Sequence, residues 1–413
     1  MAIGYRPEII QRAFVDFVGS HLHPFWSLTR PKLRLITRQV INDDLIALQF
    51  EGNYAFNRQV FDRQLGWHGG QYIGLTVIID GIHHQRHYSL VGLPKQPLYL
   101  YAGIDNTKNK QSHIITIAIK PQGLVSNYLT QQAKLGTIFD SGLPSGEFTL
   151  TQSKINVQSK TNTQRAKHQQ TLPTSSSLLF IAGGSGITPM VGLITQALEQ
   201  THQNRIVTLL YYSRIPLAET PFLEHWRQLK ERYPNFNYHF INTEDPNSYL
   251  ASTRYLSSDS LLALNLPLAE TQIFACGSQA LLAGLYEAAA EITLPTNKQL
   301  RDNIIVESFG NALVGFNMDG YQTFDKTVSV EEHTVYLRSR HRQFSSDTTI
   351  LIAAEKADVR LAHGCRQGIC QLCRCNKVSG VVQNIQTGKI SHEGYESIQT
   401  CINIAMTDVV LDI

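Results

Sequence analysis

The sequence lacks any long apolar run and carries little net charge. No stretch of about 18 apolar residues occurs, which excludes a helical membrane span. A formal charge of +3 over 413 residues is too small to support nucleic-acid binding through phosphate neutralisation. The opening MAIGYRPEIIQRAFVDFVGSHLHPFW lacks the basic start, apolar core and small-residue cleavage site of a secretory signal. The expected location is therefore the cytoplasm, with a place at the inner face of the membrane left open. No internal repeat is visible. Cysteine is scarce and uneven: Cys276 stands alone, and the other five fall within 365–401. That clustering argues for metal chemistry in a reducing compartment rather than a disulfide framework.

The length suggests two to three domains, and three is the working count. Residues 1–31 read as a leader helix. Its apolar spacing over 7–18, with Pro7 suited to a first turn, favours docking on the protein body over a membrane surface. Over 32–150, runs such as LRLITRQVI, LIALQF, QYIGLTVII, RHYSLVGL, LYLYAGI and HIITIAI alternate with turn residues, predicting an antiparallel β-barrel. Residues 151–177, rich in Gln, Ser and Thr, read as a flexible loop or linker. From 178 to 310, strand patterns alternate with helical ones, predicting an α/β domain with a parallel sheet. A linker over 311–326 leads to a compact last domain, 327–413.

Cys365, Cys370, Cys373 and Cys401 form C-x4-C-x2-C followed by a distant fourth cysteine, the spacing of a plant-type [2Fe–2S] site. A tight loop can carry three thiolates around a cluster while the fourth arrives from another element. Gly364 and Gly368 let the backbone approach the inorganic sulfurs. Structural zinc also takes four thiolates but favours two short pairs, so the cluster is preferred. Cys375 is the surplus thiol.

Arg86, Tyr88 and Ser89, with His87 between them, offer a cation, an aromatic wall and a hydroxyl. Those are the groups that a flavin's phosphate, ring and N5 require. LLFIAGGSGITPM runs from a buried strand through Gly183, Gly184 and Gly186 to Thr188 and a helix, a junction suited to a pyrophosphate. Ser213 and Arg214 end the next strand, where a hydroxyl and a guanidinium suit a 2′-phosphate and favour NADPH over NADH. Cys276 and Gly277 close a later strand.

In these motifs the chain resembles the ferredoxin–NADP reductase superfamily: GQY and R-x-Y-S in the barrel, GGxGxTP and C-G in the nucleotide domain. AHGCRQGICQLC with GYESIQTC is similar to the plant-type ferredoxin domain, of β-grasp α+β fold. The resemblance implies that Arg86 binds a flavin phosphate, Tyr88 stacks on the isoalloxazine and Ser89 lies near N5. It also implies that the turn of Gly123, Val125 and Ser126 holds the pyrophosphate, with FAD preferred over FMN. Thr188 and Cys276 would lie at the nicotinamide, while Glu307-Ser308-Phe309 ends the reductase portion.

The implied activity is that of an electron-transfer reductase. It takes a hydride from NADPH and delivers single electrons through the [2Fe–2S] cluster to a protein acceptor. A di-iron fatty acyl desaturase or hydroxylase is preferred as acceptor, because similar stand-alone reductases with a leader helix and the HPFWSL segment serve lipid desaturation. A Rieske, soluble di-iron or P450 oxygenase served with NADH, and a redox-sensing role, remain alternatives.

Overall fold

In the computed structural model, the described residues are 12–62, 66–96, 98, 113–150, 177–200, 205–245, 255–295, 299–308, 332–363, 372–385 and 390–413. They divide into two units, Met1–Glu307 and Ser308–Ile413.

The leader helix α1 spans Arg12–Leu22; Pro7 and the rest of the apolar spacing before Arg12 lie outside the described residues. Six strands then form one sheet: β1 (Lys32–Asn42), β2 (Leu45–Gly52), β3 (Tyr72–Ile79), β4 (Ile82–Ser89), β5 (Ile114–Ile119) and β6 (Ile138–Ser141), in the order β4-β3-β6-β1-β2-β5. Every pairing along that order is antiparallel. Past the end of β4, Leu90 bridges to Ile117 and the Val91 amide donates to the Thr116 carbonyl at 2.9 Å, which closes the sheet on itself. Alternation decides the inside: Leu33, Leu35, Leu48, Phe50, Ile73, Leu75, Ile115 and Ile117 fill the barrel. Short helices α2 (Tyr54–Asn57) and α3 (Leu124–Asn127) each run on into a wider π-type turn. LYLYAGI, apart from Leu98, lies outside the described residues.

The second layer is another sheet. Its strands are β7 (Ser177–Gly183), β8 (Ile206–Ser213), β9 (Phe236–Asn242), β10 (Thr271–Gly277) and β11 (Ile304–Ser308), in the order β11-β10-β7-β8-β9, and β7 to β10 run parallel. Between them run α4 (Ile187–Gln200), α5 (Leu223–Arg232), α6 (Ser258–Leu262) and α7 (Gln279–Glu291). β7 is buried along nearly its whole length, as expected of a strand covered on both faces. The polar run over 151–177 ends one residue sooner than its composition implies. Ser177 opens β7, where its hydroxyl meets that of Thr271 at 2.6 Å; the rest of that run lies outside the described residues. The barrel and the parallel sheet share one core, in which Leu45, Ala47, Val91 and Phe148 join Phe180, Met190 and Leu193.

The second unit has β12 (His333–Leu337), β13 (Arg342–Ser346), α8 (Ile350–Lys356), β14 (Arg374–Ser379), β15 (Val382–Asn384), β16 (Glu396–Gln399), β17 (Asn403–Ala405) and β18 (Val409–Asp412). The main sheet runs β13-β12-β18-β14-β16, with β12 and β18 parallel, and β15 pairs with β17 in a small second sheet. This mixed sheet with one helix against it is the β-grasp arrangement. The helix α8 starts at Ile350, with Thr349 as N-cap.

Candidate functional site

In the first unit, the strand order reverses between β7 and β10. Chain connections leave these two neighbouring strands in opposite directions across the sheet, so their carboxyl ends open into a crevice. Gly183, Gly184 and Gly186 lie at the end of β7, and Cys276 and Gly277 at the end of β10. The two segments touch. A Cβ on Gly186 would sit 2.1 Å from the Cys276 carbonyl oxygen, and one on Gly277 would sit 3.2 Å from the Gly183 amide nitrogen. Gly184 differs: its φ is +53° and no atom lies within 4 Å of where a Cβ would point. Open space over backbone amides at the start of α4 suits an anionic ligand. Tyr211 donates to the Gly184 carbonyl at 3.2 Å and Thr188 to the Ser185 carbonyl at 3.0 Å, which hold the turn in place.

Cys276 is fully buried, and burial together with nearby Glu307 pushes its thiol pKa well up. Glu307 comes from β11, the neighbour of β10. Its Oε2 is buried without a hydrogen-bond partner, and burial raises its pKa to about 8. Sequence reading named Glu307 without giving it a role; Phe309 lies outside the described residues. Ser213 and Arg214 end β8 as expected, with Arg214 exposed. The Ser213 hydroxyl accepts from the Ile215 amide at 3.0 Å, so it also shapes the turn that presents Arg214.

In the barrel, β4 pairs with β3 so that Arg86 faces Leu75, His87 faces Gly74, Tyr88 faces Ile73 and Ser89 faces Tyr72. His87 packs edge-on to Tyr72 with ring centroids 4.9 Å apart. Burial raises the Tyr88 pKa, so its phenol stays neutral. Ser89 Oγ and His87 Nδ1 are buried with no partner. Buried polar atoms are normally paired, and two such orphans two residues apart on one face of β4 fit a polar-edged ligand such as a flavin. Gly123, at φ +85°, opens α3 with open space at its Cα, and Val125 is buried in the barrel core. The Ser126 hydroxyl bonds back to Gln122, accepting from its amide at 2.9 Å. Ser126 thereby braces the turn, leaving the first amides of α3, which have no intrahelical acceptor, for a ligand.

Two residues that the motifs did not reveal join barrel and nucleotide domain. Gln196 of α4 accepts from the Gly69 amide at 2.8 Å and meets His68 Nδ1 at 3.2 Å. Beside it, a Cβ on Gly192 would lie 2.9 Å from the Gly92 carbonyl oxygen and 3.0 Å from the Gly69 Cα. A single glutamine inside an apolar helix pattern carries no recognisable signal in one sequence.

In the second unit, Cys373 and Cys401 are buried and their sulfurs lie 3.1 Å apart. That is well beyond a disulfide bond, which is about 2.05 Å. It approaches the roughly 3.7 Å edge of a tetrahedral metal–thiolate site with bonds of about 2.3 Å. The donor set thus fits two ligands of one iron. Thr400 clamps the pair, its amide donating to the Cys373 carbonyl at 3.1 Å. The fully buried Lys377 donates to the carbonyls of His392 and Gly394 at 2.8 and 2.6 Å, fixing the approach to β16 and Cys401. Cys365, Cys370, Gly364 and Gly368 lie outside the described residues. Cys375 is half-buried, with its pKa pushed up to about 12 by burial and by Cys373.

Residues 180–286 match the oxidoreductase NAD-binding domain, and residues 335–404 match the 2Fe-2S iron-sulfur cluster binding domain. The chain thus carries an oxidoreductase NAD-binding domain followed by a [2Fe–2S] cluster binding domain. Among relatives of this oxidoreductase is an "NADPH oxidoreductase" of Mycobacterium tuberculosis, 25% identical over 95% of this chain and 86% of that protein. A "glycine betaine monooxygenase reductase subunit" of Chromohalobacter salexigens is 23% identical over 83% of this chain and 86% of that one. The structure of phthalate dioxygenase reductase superposes with a TM-score of 0.51 at 18% identity, covering 92% of this chain and 97% of that one. The oxidoreductase therefore shares that fold from flavin-type barrel to ferredoxin-type domain. It is an NAD(P)H-dependent, electron-transferring enzyme.

Proposed function

We propose that this oxidoreductase takes a hydride from NADPH onto FAD held in the barrel and passes electrons singly through a [2Fe–2S] cluster to a separate protein acceptor. The acceptor belongs to the oxygenase class, in line with the name of the glycine betaine relative. A di-iron desaturase or hydroxylase is its preferred form. The observation that carries the reading is the buried Cys373–Cys401 sulfur pair at 3.1 Å, in a chain that also opens a glycine-lined crevice at a strand reversal. When bound, flavin supplies the conversion between a two-electron hydride donor and a one-electron acceptor.

The chain's own residues bind, orient and shield. Arg86 neutralises a flavin phosphate, Tyr88 walls the ring, and the Ser89 hydroxyl donates a hydrogen bond to N5, with His87 beside it on the same strand. The Gly123, Val125 and Ser126 turn presents amides to the pyrophosphate. On the nucleotide side, Gly183, Gly184 and Gly186 cradle the NADPH pyrophosphate, and Thr188, Cys276 and Gly277 line the nicotinamide. Ser213 and Arg214 meet the 2′-phosphate, in line with the name of the mycobacterial relative. Glu307, kept protonated by burial at neutral pH, can hold a proton beside Cys276. Cys365, Cys370, Cys373 and Cys401 ligate the cluster. No described helix is long and apolar enough to cross a membrane.

The test is anaerobic purification with assays for iron, acid-labile sulfide and released flavin, followed by turnover of NADPH against NADH with a one-electron acceptor. FAD release, a cluster spectrum and faster turnover with NADPH are expected. Protein that lacks iron and sulfide, or cycles too slowly to feed an acceptor, overturns the reading.

A further inference from the structure

Helix α1 is attached by its polar side. Asp16 accepts from the Leu28 amide at 2.5 Å and the Ser27 hydroxyl at 3.1 Å, and also from the Thr29 hydroxyl. Gly19 lies against Trp26, where a Cβ would come within 2.2 Å of the indole. Phe25, next to that turn, is buried, with the Arg34 guanidinium 4.6 Å from its ring centroid. The apolar side of α1 is left outward: Phe14 is 64% exposed, Phe17 62%, Val18 41% and Leu22 83%. These positions are spaced i, i+3, i+4 and i+8, one face of a helix. A soluble helix ordinarily points that face at the core, so docking on the protein body, the reading favoured by the sequence, is not what this face does.

We infer that α1 is an interfacial anchor that lays Phe14, Phe17, Val18 and Leu22 into an anionic lipid surface. Two arguments select lipid over another protein. The first is charge. Between 12 and 33 the chain has Arg12, Arg30 and Lys32 against a single acid, Asp16, whose carboxylate is already occupied by the 27–29 turn; Arg34, further on, is paired with Glu51 at 2.6 Å. Arg30, His21 and His23 are exposed near the helix, so the rim of the apolar face is cationic or neutral, which suits acidic headgroups.

The second argument is area. Four side chains at these exposures offer on the order of 450 Å² of apolar surface, about half of the roughly 800 Å² per partner typical of a stable protein interface. Partition into a headgroup layer has no such threshold and grows with each apolar side chain buried. The anchor would bring the proposed delivery of electrons to a lipid surface, so it rests on that reading, and it is tested apart from it.

The experiment is co-sedimentation of the full chain with vesicles of phosphatidylcholine alone or mixed with phosphatidylglycerol, at low and high salt. The same is done with the Phe14→Ser, Phe17→Ser, Leu22→Ser triple variant. Wild type is expected to sediment with the mixed vesicles at low salt and to be partly released by salt. The triple variant is expected to lose at least about a hundred-fold in partition while keeping wild-type NADPH–ferricyanide turnover, since none of the three residues lines the site.

Wild type that stays in solution with anionic vesicles, or a triple variant that binds as wild type does, overturns the anchor. So does sedimentation equilibrium that shows a dimer abolished by the same substitutions. A chain that binds vesicles but does not oxidise NADPH would refute the reductase reading and leave the anchor standing.

Discussion

Gln196 and Gly69 are joined by a hydrogen bond of 2.8 Å between the glutamine carbonyl and the glycine amide, across the boundary between parallel sheet and barrel. Gln196 lies on the helix that starts at the glycine turn of the nucleotide crevice, and Gly69 two residues before Gln71-Tyr72 at the start of β3. One side chain therefore ties the nucleotide site to the strand that faces His87 and Ser89. Gln196→Leu leaves the buried Gly69 amide unpaired, at a cost of about 1–3 kcal/mol. The expected result is a lower melting temperature and a fall in kcat of about ten-fold, with KM for NADPH nearly unchanged. Melting curves and steady-state kinetics with ferricyanide check both.

The glycines of the crevice are not equivalent. Gly186→Ala drives a methyl to 2.1 Å from the Cys276 carbonyl oxygen, so backbone must shift, and both melting temperature and NADPH binding should drop. Gly184→Ala meets open space and carries only the strain of its positive φ, about 1 kcal/mol. It should melt close to wild type yet bind NADPH about ten-fold more weakly, because the methyl fills the approach to the amides. Thermal melting beside fluorescence titration separates the two.

Cys373→Ser and Cys401→Ser each remove one member of the 3.1 Å pair. Iron and sulfide content should fall to background in both. NADPH–ferricyanide turnover, which the first unit can support, should persist, while reduction of an acceptor fed by the cluster is lost. Loss of both activities together would contradict the division of labour between the units.

Two buried groups set opposite pH limits on stability. Burial lowers the His225 pKa from 6.5 to about 4. Between those values the unfolded chain binds more protons, so stability is present above about pH 6.5 and is lost as pH falls toward 4. Burial raises the Glu307 pKa from 4.5 to about 8. Here the folded chain binds more protons in the window, so stability is full below about pH 4.5 and declines as pH rises toward 8. Glu307→Gln should flatten the alkaline decline and His225→Gln the acid one, measured as denaturant midpoints from pH 4 to pH 9.

Glu307→Gln also removes an ionisation near pH 8 beside Cys276. Any step in the pH profile of NADPH oxidation near that value should vanish in the variant, while Glu307→Asp should retain a shifted step. Stopped-flow traces across the same pH range provide the check.

The sequence by itself determined the order of elements and the chemistry at their ends. Alternation marked the barrel strands from Leu33 to Ile119, and buried runs such as LLFIAGG marked strands covered on both faces. The spacing of Cys365, Cys370, Cys373 and Cys401 pointed to a [2Fe–2S] cluster, because ligand chemistry is local to residue type and interval; Cys373 and Cys401 are the two of them that lie among the described residues. Only tertiary structure decided what meets what. Gly186 against Cys276 arises from a strand reversal that joins residues ninety positions apart in the chain. The raised pKa of Glu307 arises from burial beside β10, and the tie from Gln196 to Gly69 from the packing of two domains. Which face of α1 is turned outward was likewise decided by contacts and not by amphipathic spacing. Periodicity shows that a helix has two faces, and only the contacts of Asp16 and Gly19 show which one the protein holds.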